Sequence, residues 1–236
     1  MTAYTLLTTL SLAAAVTLTA CGGGDGAMPL APSPAKLAAP TSLHVIGNSI
    51  TYIAQSADWP RSSGMAASSV ATDYAHLVAA GMGITEPVIG NYATLEANSS
   101  DPINTLSPES MAALVGQASA GVDAHSAVVV ELGDNALAGG SAAFAANYGR
   151  LLDAVAGAQV LVCVGTYWFD AGKENIIKTV CAAHGGRYVY VGDIYTRPGN
   201  TDFTTGVQYA NPAINRHPHD GSMAIIASRV LTGLAG

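Results

Sequence analysis

The sequence predicts an α/β protein built as a three-layer α/β/α sandwich, in which one parallel sheet lies between two layers of helices. From residue 41 onward, short apolar runs alternate with longer segments whose apolar residues recur at helical spacing. The run at residues 127–132 is almost entirely apolar, as expected of a strand that is covered on both faces. Strands that alternate with helices are joined by crossover connections, which make neighbouring strands parallel.

Five strands are predicted, in a number and spacing that suit a flavodoxin-like sheet. They fall at residues 43–47, 87–91, 127–132, 160–165 and 187–191. Helices are predicted at residues 70–80, 108–118, 141–156 and 173–183, and a last one ends near Gly233. Ser107 and Asp220 are of the residue types that cap helices, and they stand at the starts of the second and the last of these helices. In such sheets, ligands bind beyond the carboxyl ends of the strands.

The folded domain is predicted to span residues 41–236, and the segments before it have a different composition. Residues 1–20 contain an apolar run of small residues that is too short for a comfortable membrane span. Residues 21–40 are rich in Gly, Pro, Ala and Ser and are expected to form a flexible tether.

The junction between these two segments, Leu18-Thr19-Ala20-Cys21, resembles a bacterial lipobox. The resemblance implies a signal peptide at residues 1–20, a lipid on Cys21 and attachment to a membrane outside the cytoplasm. A residue other than Asp follows Cys21, which implies sorting to the outer membrane. Because the segment contains no Lys or Arg, an ordinary secretory signal with an incidental cysteine is the alternative.

The charge and the cysteine content exclude several classes of function. The net charge is −7 and only 9 Lys and Arg are present, so no nucleic-acid partner is expected. No Cys-x-x-Cys pair occurs, which argues against a cysteine-based zinc or redox site. Cys163 and Cys181 either form a disulfide or are buried separately. His217, His219 and Asp220 lack the further ligands that a metal needs, and neither a metal nor another cofactor is expected.

Three polar segments stand where the predicted fold places a ligand site. Gly47-Asn48-Ser49-Ile50 ends the first strand, Gly133-Asp134-Asn135 ends the third, and His217-Pro218 precedes the last helix. A serine at such a strand exit can turn its backbone N–H toward a developing oxyanion. Taken alone, the same serine fits a simple turn.

Taken together and in this order, the segments resemble the sequence blocks of the SGNH (GDSL-like) serine hydrolases. The first matches the nucleophile block, with Asn48 in place of the more usual Asp. Asn91-Tyr92-Ala93 matches the second block, with Ala93 in place of Gly. The remaining two match the block that carries the oxyanion-binding Asn and the block that carries the catalytic His. The similarity extends from Leu43 to Leu234.

This resemblance implies acyl transfer through a covalent intermediate, with no cofactor. Ser49 is the expected nucleophile and His217 its general base. The N–H groups of Ser49 and Ala93 and the side-chain amide of Asn135 are the expected oxyanion donors.

One position departs from the family pattern. The family usually places an Asp three residues before the catalytic histidine, where this chain has Ile214. Either a backbone carbonyl orients His217, which gives a Ser-His dyad, or another acid does. Asp134 and Glu96 are the candidate acids.

The expected function is that of a serine esterase, and the expected substrate is a small ester or an acylated, most simply acetylated, glycan outside the cytoplasm. Asn48, Trp59 and Trp168 are expected to line the substrate site, although each Trp can instead cover the core. A lipase, thioesterase or acyltransferase would use the same residues. A glycan-binding lipoprotein without catalysis is the alternative from another class. No Gly-x-Ser-x-Gly elbow occurs, which disfavours an α/β-hydrolase.

Overall fold

The computed structural model describes residues 38–97, 106–198 and 207–236, which form the predicted three-layer α/β/α sandwich. Its sheet has five parallel strands in the flavodoxin-like order β2-β1-β3-β4-β5. The strands are β1 (Ser42–Gly47), β2 (Val88–Asn91), β3 (Ser126–Glu131), β4 (Val160–Val164) and β5 (Arg187–Val189). The α-helices are α1 (Tyr74–Met82), α2 (Ala93–Ala97), α3 (Pro108–Ala118), α4 (Ala142–Ala154), α5 (Ala171–Ala183) and α6 (Asp220–Ala235).

Alternate residues of the central strand β3 face opposite layers of helices. Ala127 and Val129 lie in a core that includes residues of α1 and α6. Val128 and Val130 lie in a second core, which includes residues of α3, α4 and α5. All four side chains are fully buried. The nearly continuous apolar run of this strand is therefore explained by helices on both faces of the sheet.

The strand register brings the polar segments to one edge of the sheet. Gly47 at the end of β1 is level with Asn91 at the end of β2 and with Glu131 at the end of β3. Because the three strands are parallel, the chain leaves all of them at the same edge. The segments that carry Ser49 and Asn135 therefore start beside each other.

The helix predicted at residues 108–118 is confirmed, and the Ser107 hydroxyl caps it by accepting the Ser110 N–H at 3.2 Å. The helix predicted at residues 70–80 begins later, at Tyr74. Asp73 determines this start, because its carboxylate accepts the His76 N–H at 2.8 Å, and Val70–Thr72 forms a separate 3₁₀ turn before it.

The prediction that Asp220 caps the last helix is wrong. Asp220 is the first residue of α6, and its carboxylate accepts the N–H and the hydroxyl of Ser68 at 2.7 and 2.5 Å. Asp220 thus ties the loop that follows β1 to the start of α6.

A disulfide joins β4 to α5. Cys163 and Cys181 are bonded, and their Cα atoms lie 6.1 Å apart. Both cysteines are fully buried in the core on the α3–α5 side of the sheet. Of the two possibilities left open by the sequence, the structure has the bridge.

The predicted signal peptide at residues 1–20, the lipid site at Cys21 and most of the tether at residues 21–40 lie outside the described residues. Within the ranges that the structure describes, no helix is both long enough and apolar enough to cross a membrane.

Candidate active site

Two polar side chains that are far apart in the sequence meet at the carboxyl edge of β1. Ser49 Oγ lies 3.0 Å from His217 Nε2. The other ring nitrogen, Nδ1, lies 2.9 Å from the carbonyl oxygen of Ala213. Because a carbonyl oxygen only accepts, Nδ1 carries the proton of the neutral ring, and Nε2 accepts the hydrogen of the Ser49 hydroxyl. This is the hydrogen bonding that a general base needs in order to activate a serine.

The surroundings of His217 favour its neutral form. Burial lowers the pKa of the imidazole below its ordinary value, and the bonds to the backbone of Ala213 and Ile214 oppose this effect without overcoming it. The Trp168 ring stands perpendicular to the imidazole, with 5.0 Å between the ring centroids. The neutral imidazole is the form that can take a proton from Ser49.

The segment before His217 is held by apolar packing and by hydrogen bonds between a side chain and the backbone. Ile214 is 3% exposed and belongs to a small apolar cluster with Trp59 and Ala66. The Asn215 side chain accepts the Tyr209 N–H at 2.8 Å and donates to the Tyr209 carbonyl at 3.0 Å. These contacts fix the 3₁₀ turn from which the imidazole projects. The position where the family pattern has an acid is therefore used for packing.

The turn that carries Ser49 is built around a buried asparagine. Asn48 Oδ1 accepts the Ile50 N–H at 2.8 Å, and the Asn48 carbonyl accepts the N–H groups of Thr51 and Tyr52. Its side chain is fully buried, so the expectation that Asn48 lines the substrate site is wrong. Asn48 instead shapes the turn that presents the hydroxyl of Ser49.

The strand exit before this turn has room only for glycine. A Cβ atom on Gly47 would collide with the Thr51 side chain and would lie 2.9 Å from the Glu131 carbonyl oxygen. The close approach of these two segments thus explains the glycine that precedes the turn with Ser49.

The three expected oxyanion donors differ in their present partners. The Ser49 N–H has no hydrogen-bond acceptor within the described residues. The Ala93 N–H donates to Asn91 Oδ1 at 3.0 Å, which starts helix α2. The Asn135 amide donates to the Glu96 carboxylate. An incoming oxyanion would therefore find the Ser49 N–H ready and would compete with Asn91 for the Ala93 N–H.

Three carboxyl groups lie beneath this edge of the sheet. Glu96 and Glu131 are buried and Asp134 is half-buried. Burial raises the pKa of Glu131 well above its ordinary value, and the neighbouring Asp134 raises it further. Burial likewise raises the pKa of Asp134, although the N–H of Trp168 and the amide of Asn48 donate to its oxygens at 3.0 and 3.4 Å.

Neither of the candidate acids orients the imidazole. Glu96 accepts from the Gly133 N–H and from Asn135, and Asp134 accepts from Asn48 and Trp168. The backbone carbonyl that was the other possibility occupies the position instead. Glu131 was not among the predicted site residues, although a glutamate that ends an otherwise apolar strand was a visible signal.

The two tryptophans have different environments. Trp59 is 1% exposed and packs on Tyr209, with 5.1 Å between the ring centroids, so it covers a core and does not line the substrate site. Trp168 is half-buried and lines a pocket of about 310 Å³ together with Tyr195, Ala213 and Arg216. Of the two aromatic residues, Trp168 alone has a surface that a substrate beside His217 can reach.

Among the residues that the structure describes, no group of three or more His, Cys, Asp or Glu side chains is arranged to hold a metal ion. In comparisons with known proteins, no family model matches the chain, and no curated protein matches it.

Proposed function

We propose that the protein is a serine esterase of the SGNH kind, in which Ser49 and His217 act as a dyad. The observation that carries this proposal is the contact of Ser49 Oγ with His217 Nε2 at 3.0 Å, combined with the bond from His217 Nδ1 to the Ala213 carbonyl. The order of the sequence blocks along the chain supports the family resemblance. The parallel sheet supports it too, because the segments of Ser49, Ala93 and Asn135 follow the carboxyl ends of three parallel strands, where ligands of such folds bind.

In the proposed reaction, Ser49 Oγ attacks the ester carbonyl while His217 Nε2 takes the hydroxyl proton. The same imidazole returns that proton to the leaving alcohol, and the acyl group stays on Ser49. His217 then removes a proton from water as the water attacks the acyl carbon. The imidazolium gives this proton to Ser49 Oγ when the bond to the acyl carbon breaks, which releases the carboxylic acid and restores the serine. The Ser49 N–H and the Asn135 amide stabilise the negative charge that develops on the carbonyl oxygen, and the Ala93 N–H joins them if it leaves Asn91.

The proposed substrates are small acyl esters, with acetyl groups on a glycan as the leading class. The aromatic surface of Trp168 beside His217 supports a sugar, because aromatic faces pack well on the apolar faces of sugar rings. The small volume of the pocket beside this ring, about 310 Å³, favours a short acyl chain over a long lipid chain. Lipase, thioesterase and acyltransferase activities would use the same serine, so each of them should be absent from Ser49→Ala.

A second candidate function is glycan binding without catalysis. It is favoured by the engagement of the Ala93 N–H and of the Asn135 amide with groups of the protein itself. On this reading, the sheet edge retains its shape and the Trp168 surface, but only one of the three expected donors, the Ser49 N–H, is ready for an oxyanion.

Covalent labelling decides between the two functions. The purified protein is treated with a fluorophosphonate probe and, separately, assayed with p-nitrophenyl acetate. We expect labelling and hydrolysis that disappear in Ser49→Ala and in His217→Ala. Ser62→Ala is the matched control, because Ser62 is an exposed loop serine whose hydroxyl only accepts the Gln55 N–H at 3.2 Å. A folded wild-type protein that is neither labelled nor active, yet binds a glycan, would establish the second function.

We also propose that the protein is attached to the outer membrane by a lipid on Cys21, outside the cytoplasm. This proposal comes from the lipobox-like sequence. Metabolic labelling with radioactive palmitate tests it. We expect incorporation into the wild type and none into Cys21→Ala, and equal incorporation into both would contradict the assignment.

A further inference from the structure

The side chain expected to bind the oxyanion is anchored by a buried carboxylate. Asn135 is exposed at the sheet edge, whereas Glu96 beneath it is fully buried. The Glu96 carboxylate accepts hydrogen bonds from the Asn135 amide and from the Gly133 N–H. Burying a carboxylate costs free energy unless such donors form hydrogen bonds with it. A carboxylate at this position therefore indicates a role other than packing.

We propose that Glu96 is a positioning residue, which fixes the carboxamide of Asn135 so that one amide N–H is held by the carboxylate and the other serves the oxyanion. This inference rests on the proposed function. An amide nitrogen carries two N–H groups in a fixed planar geometry, so a bond through one of them determines the direction of the other. Preorganised donors stabilise a developing charge more effectively than donors that must turn toward it during the reaction.

Glu96 holds the backbone of this segment as well as its side chain. The bond from the Gly133 N–H fixes the chain two residues before Asn135. Gly133 has a φ of 141°, which favours glycine, and a Cβ atom there would lie 2.9 Å from Ile177 and 3.0 Å from Thr166. The turn is thus confined from the core side, and Glu96 holds it from the side of α2.

The charge of Glu96 determines how many bonds it can accept. The pKa of Glu96 is raised to about 7, first by burial and then by the nearby Asp134, whereas hydrogen bonds from Asn135 and Gly133 act in the opposite direction. Two other titratable groups interact electrostatically with Glu96. They are Glu131 at the end of β3 and Tyr148 of α4. An ionised carboxylate accepts both bonds, whereas a protonated one presents an O–H that must find another acceptor.

The test uses three variants of the protein: Glu96→Gln, Asn135→Ala and the double variant. A glutamine keeps the volume of the side chain and resembles the protonated carboxyl. Glu174→Gln is the matched control, because Glu174 is also a buried glutamate that accepts a backbone N–H, from Thr166 at 2.7 Å, but it does not contact Asn135. Circular dichroism and thermal melting establish that each variant is folded.

Removing an oxyanion donor lowers kcat by about 100-fold or more, and we expect about a tenfold loss from Glu96→Gln because the donor stays but loses its anchor. We expect KM to change little, since the interaction belongs to the transition state. The double variant should be no slower than Asn135→Ala, because Glu96 acts through Asn135. Glu174→Gln should keep the wild-type kcat. Independent, multiplying losses in the double variant would overturn the proposal.

The pH profile supplies a readout that a merely structural role would not change. The wild-type kcat should fall as the pH is lowered through about 7, because Glu96 takes up a proton there. This limb near pH 7 should be absent from Glu96→Gln and from Asn135→Ala, which keep only the limb that protonation of His217, whose pKa is lowered, produces at lower pH. If Glu96→Gln does not fold, the pH profiles of the wild type and of Asn135→Ala still test the proposal, because the side chain of Asn135 is exposed and its loss should be tolerated. The same acid limb near pH 7 in the wild type and in Asn135→Ala would overturn the proposal.

The outcomes separate this inference from the function on which it rests. A wild type that neither reacts with the fluorophosphonate nor hydrolyses an ester contradicts the proposed function, and with it this inference. A wild type that is active and loses activity in Ser49→Ala, yet tolerates Glu96→Gln with unchanged kcat and pH profile, contradicts the positioning role alone.

Discussion

The carbonyl oxygen of Ala213 lies 2.9 Å from His217 Nδ1 and takes the part that the proposed resemblance would assign to an Asp side chain. A carbonyl fixes the tautomer and the orientation of the ring as a carboxylate does, but it brings no negative charge. At Nδ1, the imidazolium that forms during the proposed reaction is therefore stabilised by a carbonyl dipole and not by the charge of a carboxylate. Combined with the burial that lowers the pKa of His217, this arrangement describes a base that is weaker than that of a full triad.

Introducing the missing acid should damage the protein. Ile214→Asp places a carboxylate in the apolar cluster of Trp59 and Ala66, where Ile214 is 3% exposed. We expect the free energy of unfolding to fall by about 3 kcal/mol or more, because a buried charge without a partner costs that much. Chemical denaturation measures the loss. Ile214→Val is the control and should cost about 1 kcal/mol. A gain in activity without a loss of stability would show that the imidazole reaches the new carboxylate.

The strand exit before Ser49 should be intolerant of any side chain. Gly47→Ala brings a methyl group against Thr51 and the Glu131 carbonyl, and backbone cannot move aside as a flexible side chain can. We expect a loss of stability of about 1–3 kcal/mol from overpacking, together with slower labelling of Ser49.

Gly116→Ala is the control for this substitution. Gly116 lies within α3, and a Cβ atom there would have no heavy atom within 4 Å. Gly116→Ala should leave the free energy of unfolding unchanged or raise it by up to about 1 kcal/mol, because alanine is the better helix former. Labelling of Gly47→Ala at the wild-type rate would mean that the turn adjusts without moving Ser49.

The fold was predictable from the sequence because burial on both faces of a sheet leaves a visible pattern. The apolar runs identified the five strands, and the crossover rule made them parallel. The start of α1 was missed because Asp73 caps the helix three residues after the apolar spacing begins. A local capping interaction determined where the helix begins, and the spacing of apolar residues carries no information about that interaction.

The candidate site was predictable only in part. The pairing of Ser49 with His217 was suggested by the order of the family blocks, and the structure brings the two side chains into contact. The carbonyl of Ala213 could not be singled out, because every residue has one and its use depends on the turn. Asn48 and Trp59 were assigned to the substrate site from their types, but they are buried in the turn and in a core.

The disulfide should contribute to stability without touching the site. Cys163 and Cys181 are 18 residues apart, and closing a loop of this length in the unfolded chain is worth about 3 kcal/mol. We expect the variant with both cysteines replaced by Ala to lose about that amount in denaturant unfolding. Because both side chains lie in the core away from Ser49, the rate of fluorophosphonate labelling should be unchanged at temperatures where the variant is folded. Equal stability of the two proteins would contradict the contribution of the bridge.

The buried carboxyl of Glu96 should make the folded protein less stable as the pH rises. Its pKa is about 7 in the folded protein, against an ordinary value of 4.5. Below pH 4.5 both states hold the proton. Between these values the unfolded chain releases a proton that the folded protein keeps, so the free energy of unfolding decreases with increasing pH; above about 7 both states are ionised and the decrease stops.

The size of this effect is about 3 kcal/mol, from 1.36 kcal/mol for each unit of difference between the two pKa values. Urea unfolding of the wild type and of Glu96→Gln at pH 4.5, 6 and 8 measures it. The glutamine cannot titrate, so the wild type should lose about 3 kcal/mol relative to the variant over this range. Glu131 and Asp134 produce slopes in the same direction, but both proteins retain them and the comparison removes them to first order. Parallel curves for the two proteins would show that Glu96 is not the group that titrates near neutral pH, and the acid limb expected in kcat would then need another source.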